Sequence, residues 1–188
     1  MTQLLLTSFS TWLPHQKSNA ADDLLLELMQ THLPPTVHFL RQLPVDFVLA
    51  PQQAIAQIQQ LQPNCVICCG MAESRTKLSV ESRAVSGDRV LHTCFDLPQL
   101  VAELPMTEIS HDAGRFVCNT TYYKVLEHLQ DSPGRGLFVH VPILTAINRE
   151  AIVRDFQQLL MRILAAQPQK FTGADSSHLA AQSRTAEP

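Results

Sequence analysis

Charge is scarce in this chain, and neither sign dominates it. Asp, Glu, Lys and Arg make up 16% of 188 residues, and the formal net charge is −3. Without a basic excess there is no electrostatic footprint for nucleic acid, so no nucleic-acid partner is expected. No apolar run approaches the roughly 20 residues that a membrane-spanning helix needs, so no membrane partner is expected either. The opening MTQLLLTSFSTW has no basic segment and only a short apolar stretch, which argues against a signal peptide and for a cytoplasmic protein. The five cysteines, at 65, 68, 69, 94 and 118, are odd in number and lack framework spacing; reduced thiols are expected. Cys65, Cys68 and Cys69 form a C-x-x-C-C run, but it lies in an apolar strand where Cys65 and Cys68 face opposite sides. No second ligand pair follows, so no metal site is expected.

What is present is enough apolar residue, 45% of the chain, for one domain with a sizeable core. That domain is expected over residues 1–166. The remainder, 167–188, is polar and aperiodic and reads as a disordered tail. Apolar strand patterns fall at residues 3–9, 37–45, 65–71, 78–85, 106–110 and 136–142. Helical patterns fall at 20–33, with Asn19 as its cap, and at 50–62, 97–104, 118–130 and 148–166. The run CVICCGM, continuously apolar, suits the buried middle of a parallel sheet. Strand and helix alternate nearly throughout. The expected fold is α/β, a single-domain helix–sheet–helix sandwich with a mostly parallel twisted sheet.

One corner stands out. HDAGRFVCNTTYY, residues 111–123, runs from a strand through Ala113-Gly114 into a helix that begins near Cys118. Gly114 tolerates backbone angles that other residues resist. A helix N-terminus offers unpaired N–H groups and partial positive charge, which favour a thiolate and predict a lowered pKa for Cys118. The same groups suit an oxyanion. A small core residue is the competing reading. His140, near the carboxyl end of an apolar strand, is either a general base or a packed core histidine. Glu81, between Ser79 and Arg83 on one face of an extended segment, either orients that imidazole or is simply solvated. His111, close to Cys118 in sequence, is the rival base. His15, His32, His38, His92, His128 and His178 share no motif.

Taken together these segments resemble the pyroglutamyl peptidases. Ser110, Ala113, Gly114, Phe116, Val117, Cys118, Asn119 and Tyr122 fit that family's cysteine signature. Gly70, Arg75, Leu78, Ser79, Glu81 and Ala84 fall in register with its glutamate signature. FVHVP at 138–142 resembles its histidine segment, and RQLPV at 41–45 its early Leu-Pro-Val. The resemblance covers about residues 3–165. It implies a Glu81–Cys118–His140 triad, removal of N-terminal pyroglutamate from small peptides, no metal and no organic cofactor. It implies a substrate pocket drawing on Phe9, Trp12, Arg75, Phe116 and Val117, and a homo-oligomer, dimer or tetramer.

The chain also departs from the family pattern. Where the family has a Gly-Phe-x-Pro-Phe-Gly-Gly loop after the first strand, this chain has SFSTWLP, with Ser8 before Phe9, Trp12 as the second aromatic and Leu13-Pro14 for the two glycines. Ser82 and Ser86 replace a basic residue and an asparagine of the glutamate signature. Asp112 replaces a serine. The segment between Glu81 and Cys118 is short. These changes keep two alternatives open: an amidase or acyl hydrolase with another small substrate, and an inactive homologue that serves as a binding or regulatory protein.

Overall fold

The computed structural model describes residues 2–165; the expected tail at 167–188 lies outside the described residues. The strands that read as unbroken apolar runs are the ones enclosed on both faces. In β1 (Leu4–Phe9) and β3 (Cys65–Met71) every residue is buried, and in β8 (Arg135–Val141) all but the first. They lie side by side and parallel at the centre of a six-stranded sheet. β2 (Val37–Leu43) pairs parallel with β1 at one edge. On the other side of β8 come β4 (Leu78–Glu81), which is antiparallel to β8, and then β7 (Thr107–Ser110) at the edge, parallel to β4. The sheet is mostly parallel, as the alternation of elements implied.

Alternate residues of the central strands feed two cores. Leu4, Leu6, Cys65, Ile67 and Cys69 face α1 (Ala20–Met29), α3 (Leu97–Val101) and α5 (Arg149–Ala165). Leu5, Val66, Cys68 and Phe138 face α2 (Leu49–Leu61) and α4 (Val117–Leu129). Cys65 and Cys68 therefore do point to opposite layers. Asn19 caps α1, its side chain accepting from the Ala21 N–H at 3.0 Å. The helix is shorter than the 20–33 pattern implied. Gln30 and Thr31 already donate in tight turns to Glu27 and Leu28, and Leu33 turns back onto the Thr31 carbonyl at 2.9 Å ahead of the Pro34-Pro35 pair.

The stretch 78–85 is not one strand. β4 ends at Glu81, Ser82 donates to the Ser110 carbonyl at 2.8 Å, and the chain then turns into a separate hairpin. That hairpin pairs β5 (Arg83–Ser86) with β6 (Arg89–His92) across a two-residue turn, Gly87-Asp88. Gly87 has φ +57°, the region such turns require. Leu78 and Val80 join the α1/α5 core, whereas Ala84 joins the α2/α4 core. The hairpin docks on α4 through Asn119, which donates to the Val85 carbonyl at 2.7 Å and accepts from its N–H at 2.9 Å. One amide side chain thus acts as a further partner for the hairpin backbone.

Candidate active site

β3 and β8 run parallel, with Gly70 opposite His140 near their carboxyl ends. β4 runs the other way beside β8, placing Ser79 opposite His140 and Glu81 opposite Phe138. Glu81 and His140 are thus diagonal neighbours on one face, within reach of long side chains. His140 Nδ1 lies 2.7 Å from Glu81 Oε1, with Glu81 fully buried and His140 only 7% exposed. A carboxylate accepts, so Nδ1 carries the proton of this bond and Nε2 is left as the basic nitrogen. Phe138 packs tilted against the imidazole with ring centroids 4.8 Å apart, and Tyr122 packs behind Phe138 at 5.6 Å. The Tyr122 hydroxyl donates to the Glu81 carbonyl at 3.0 Å, tying α4 to the end of β4.

The charge beside Glu81 comes from Arg75. Its Nη2 lies 3.6 Å from Glu81 Oε1 and its Nη1 3.6 Å from Glu108 Oε1. The guanidinium also donates to Ser79 Oγ at 3.0 Å and to Ser110 Oγ and the Asp112 carbonyl at 3.3 Å. Arg83, which the extended pattern placed beside Glu81, instead donates to the His111 carbonyl at 2.7 Å. His111, the rival base, lies outside the cavity that holds Cys118; it is exposed, and its Nδ1 lies 2.7 Å from Ser82 Oγ.

Cys118 is the second residue of α4, after the extended N-cap Phe116. The turn before it uses Gly114 at φ +77°, and the Gly114 N–H donates to Asp112 Oδ1 at 3.0 Å. A cavity of about 350 Å3 opens over this corner and is lined by both Cys118 and His140. Phe9, Trp12, Arg75, Phe116 and Val117 line the same cavity; Glu81 stands behind His140, outside it. Sequence reasoning missed several other wall residues, among them Val45, Met71 and Ala72. Asn19, which the sequence marks only as a helix cap, lines it too. Its Nδ2 donates to the Ser10 carbonyl at 3.1 Å and so fixes the loop after β1.

The expectation of a lowered Cys118 pKa is overturned. Burial pushes the thiol up to about 12, and the nearby Cys68 and Glu81 add to it; the bond from its own backbone N–H opposes but does not prevail. Cys118 is part-exposed as a residue, yet its Sγ is the portion turned inward. A Cβ placed on Gly70 would lie 2.6 Å from that sulfur. Sγ is thus packed against bare strand backbone at a position where any side chain would collide with it.

The start of the loop carries a polar cluster. Ser8, which is fully buried, donates to Asp22 Oδ1 at 2.6 Å, and Arg41 grips both oxygens of Asp22 at 2.8 Å. Burial alone would raise the Asp22 pKa, but the bonds from Arg41, Ser8 and Gln42 outweigh it and hold the carboxyl below the usual range. Gln42 sits at φ +58° and donates its backbone N–H to Ser8 Oγ at 3.2 Å, where the β1–β2 register shifts. Among the described residues, no group of three or more His, Cys, Asp or Glu is arranged to hold a metal ion. No described helix is long and apolar enough to cross a membrane.

Comparison with known proteins decides the family. A pyrrolidone-carboxylate peptidase of Clavibacter michiganensis subsp. michiganensis is 31% identical over 153 residues, spanning 67% of this chain and 70% of the relative. The chain belongs to the pyroglutamyl peptidase family. The profile of that family, described as pyroglutamyl peptidase, matches residues 100–157, which include Cys118 and His140. A pyrrolidone-carboxylate peptidase of Klebsiella pneumoniae (strain 342) is 29% identical over 173 residues, 78% of this chain and 80% of its own. The fold matches that of the pyrrolidone carboxyl peptidase of Fervidobacterium islandicum AW-1, with a TM-score of 0.78 at 17% identity over 87% of this chain and 99% of that one. In this family member, the start of α4 and the end of β8 line the cavity together with the loop after β1.

Proposed function

We propose that this chain is a cysteine peptidase that removes N-terminal pyroglutamyl residues from peptides, with Cys118 as nucleophile, His140 as base and Glu81 as its orienting carboxylate. The observation that carries the reading is the 2.7 Å bond from His140 Nδ1 to buried Glu81, in a histidine that shares a cavity with Cys118. The resting thiol is neutral, so the first step is proton transfer from Sγ to His140 Nε2. The Glu81 carboxylate, itself oriented by Arg75, stabilises the resulting imidazolium. The thiolate adds to the exocyclic carbonyl carbon of pyroglutamate, and its oxygen takes the charge against backbone N–H groups at the start of α4. As the carbonyl reforms, the C–N bond breaks and His140 gives its proton to the departing amine. A water, deprotonated by His140, then splits the thioester; the pyroglutamate leaves as its acid and the thiol is restored.

Pyroglutamate is a flat neutral lactam, and apolar walls suit it. Phe9, Trp12, Phe116 and Val117 supply them, with Phe116 also packed edge-on by Phe47 at 5.7 Å. The five free cysteines fit a reducing, cytoplasmic setting. A homo-oligomer, dimer or tetramer, completes this reading.

The test is release of a fluorescent amine from a pyroglutamyl amide, with Cys118→Ala alongside. Turnover that vanishes in the variant supports nucleophile and specificity together. Absent turnover with a thiol that alkylates in a His140-dependent way would move the reading to an amidase or acyl hydrolase of another small substrate. An inert thiol would move it to a binding or regulatory protein.

A further inference from the structure

The loop between β1 and α1 has no glycine from residue 10 to 19, yet it delivers an aromatic to the cavity mouth. The Trp12 ring lies 5.8 Å from that of Phe116, tilted 44°, and it packs against the α1-side core. At Trp12 and Leu13 the backbone is met by the Gln16 side chain. The N–H groups of Trp12 and Leu13 both donate to Gln16 Oε1, at 3.0 and 3.2 Å. The Gln16 backbone N–H closes the turn on the Leu13 carbonyl at 3.0 Å. The other end of the same amide reaches the segment after the neighbouring strand β3, Nε2 donating to Glu73 Oε1 at 2.7 Å, with His15 Nε2 3.4 Å from that oxygen. Glu73 stands on a turn fixed at both ends. Ala72 donates to the Val141 carbonyl of β8 at 2.9 Å, and Arg75 to the Ala72 carbonyl at 3.0 Å. The anchor is therefore the segment that joins β3 to the cavity-lining Arg75.

We propose that Gln16 and Glu73 are positioning residues that set Trp12 over the acyl pocket and so determine how firmly a flat neutral ring is held there. The proposal rests on the peptidase reading for its substrate, though not for its geometry. Gln16 is half-buried and Glu73 exposed, and neither belongs to a hydrophobic core, so their effect is local to the loop. A glutamine is suited to the task because one planar group presents an acceptor to two backbone donors and a donor to a distant carboxylate.

Exchange of the two functional groups tests this. Gln16→Glu keeps the acceptor for the two N–H groups but sets a carboxylate against Glu73. The double variant Gln16→Glu with Glu73→Gln restores one donor and one acceptor with their roles exchanged. Two readouts apply: KM and kcat on a pyroglutamyl amide, and the emission of Trp12, the only tryptophan in the chain. Gln16→Glu should raise KM about five- to tenfold with kcat held within about twofold, and shift Trp12 emission to the red. The double variant should return both kinetic constants to within about twofold and the emission to its original maximum. Unchanged KM and emission in Gln16→Glu would overturn the proposal, as would a double variant no better than the single. If the unsubstituted chain does not turn over pyroglutamyl amides, the peptidase reading fails on its own and the emission of the two variants still decides the positioning role.

Discussion

Gly70→Ala is the substitution in which packing and chemistry are most tightly coupled. A methyl at Gly70 would lie 2.6 Å from Cys118 Sγ, and 2.8 and 3.3 Å from two ring carbons of Phe138. Unstrained carbon contacts lie at about 3.5–4.0 Å, so the overlap is roughly 1 Å. Neither neighbour can yield cheaply. Phe138 is fully buried between Tyr122 at 5.6 Å and His140 at 4.8 Å. The cysteine has one rotatable bond, and turning it carries the sulfur away from its packed site. Overpacking of this kind costs about 1–3 kcal/mol. A displacement near 1 Å at a reacting atom costs about a hundredfold in rate. Urea unfolding followed by circular dichroism, together with turnover of a pyroglutamyl amide, reads the two effects separately. Adding Cys118→Ala removes the sulfur from the collision, so the stability losses of the two substitutions should be less than additive, with a coupling of about 1 kcal/mol. Strict additivity, or Gly70→Ala with unchanged midpoint and turnover, would refute the placement of Sγ over Gly70.

Two further outcomes follow from hydrogen bonding and burial. Asn119→Leu removes both bonds to Val85, and at about 1 kcal/mol each the loss is about 2 kcal/mol, or a Tm lower by roughly 4–8 °C; an unchanged thermal melt would refute the docking role. The fully buried thiols of Cys65, Cys68 and Cys69 are all pushed up by burial, to about 12 for Cys68. Their raised values give stability that is whole below an ordinary thiol pKa near 9 and is lost as pH climbs toward the folded values. Each contributes about 1.4 kcal/mol per pH unit in that window, so these three alone should remove about 4 kcal/mol between about pH 8 and pH 10, and Cys118 adds to the loss in the same direction. Equal urea midpoints at the two pH values would contradict it.

The parts of the fold visible in the sequence are those where local pattern and tertiary environment agree. β1, β3 and β8 read as strands because both their faces are buried, so nearly every residue is apolar or small. The β5–β6 hairpin is hidden in the sequence because Leu78, Val80 and Ala84 keep an even spacing through a point where the chain changes layers. Only Gly87-Asp88, a two-residue turn with a glycine, signals it. The apolar pattern of α1 continues past Met29, which makes the helix look longer than it is, although the backbone turns at Gln30. Asp22 reads locally as a helix-dipole residue, but its main partner is Arg41, which β2 brings from 19 residues away. Likewise the cation beside Glu81 is Arg75 and not Arg83. That choice depends on where β4 stops, a boundary set by the pairing of Ser82 with Ser110 and not by residue type.

The Cys118 pKa shows how a correct local argument can be outweighed. A helix N-terminus favours an anion by about 0.3–1 kcal/mol, and by about 2 kcal/mol in the best partly buried cases. Burial acts in the opposite direction and carries the thiol from 9.0 to about 12, a difference worth about 4 kcal/mol. This stronger effect is invisible from the corner sequence, because it arises in the folded packing, where the sulfur lies against Gly70 of β3, a strand distant in sequence. On the proposed reading the consequence is mechanistic. A thiol with that pKa is not a standing thiolate, so the nucleophile exists only when His140 takes its proton. The imidazolium so formed sits 2.7 Å from a fully buried carboxylate. Glu81 is then more than a guide for the ring: by stabilising the charge on His140 it lowers the cost of proton transfer from a buried thiol, and the helix N-terminus serves the oxyanion that follows.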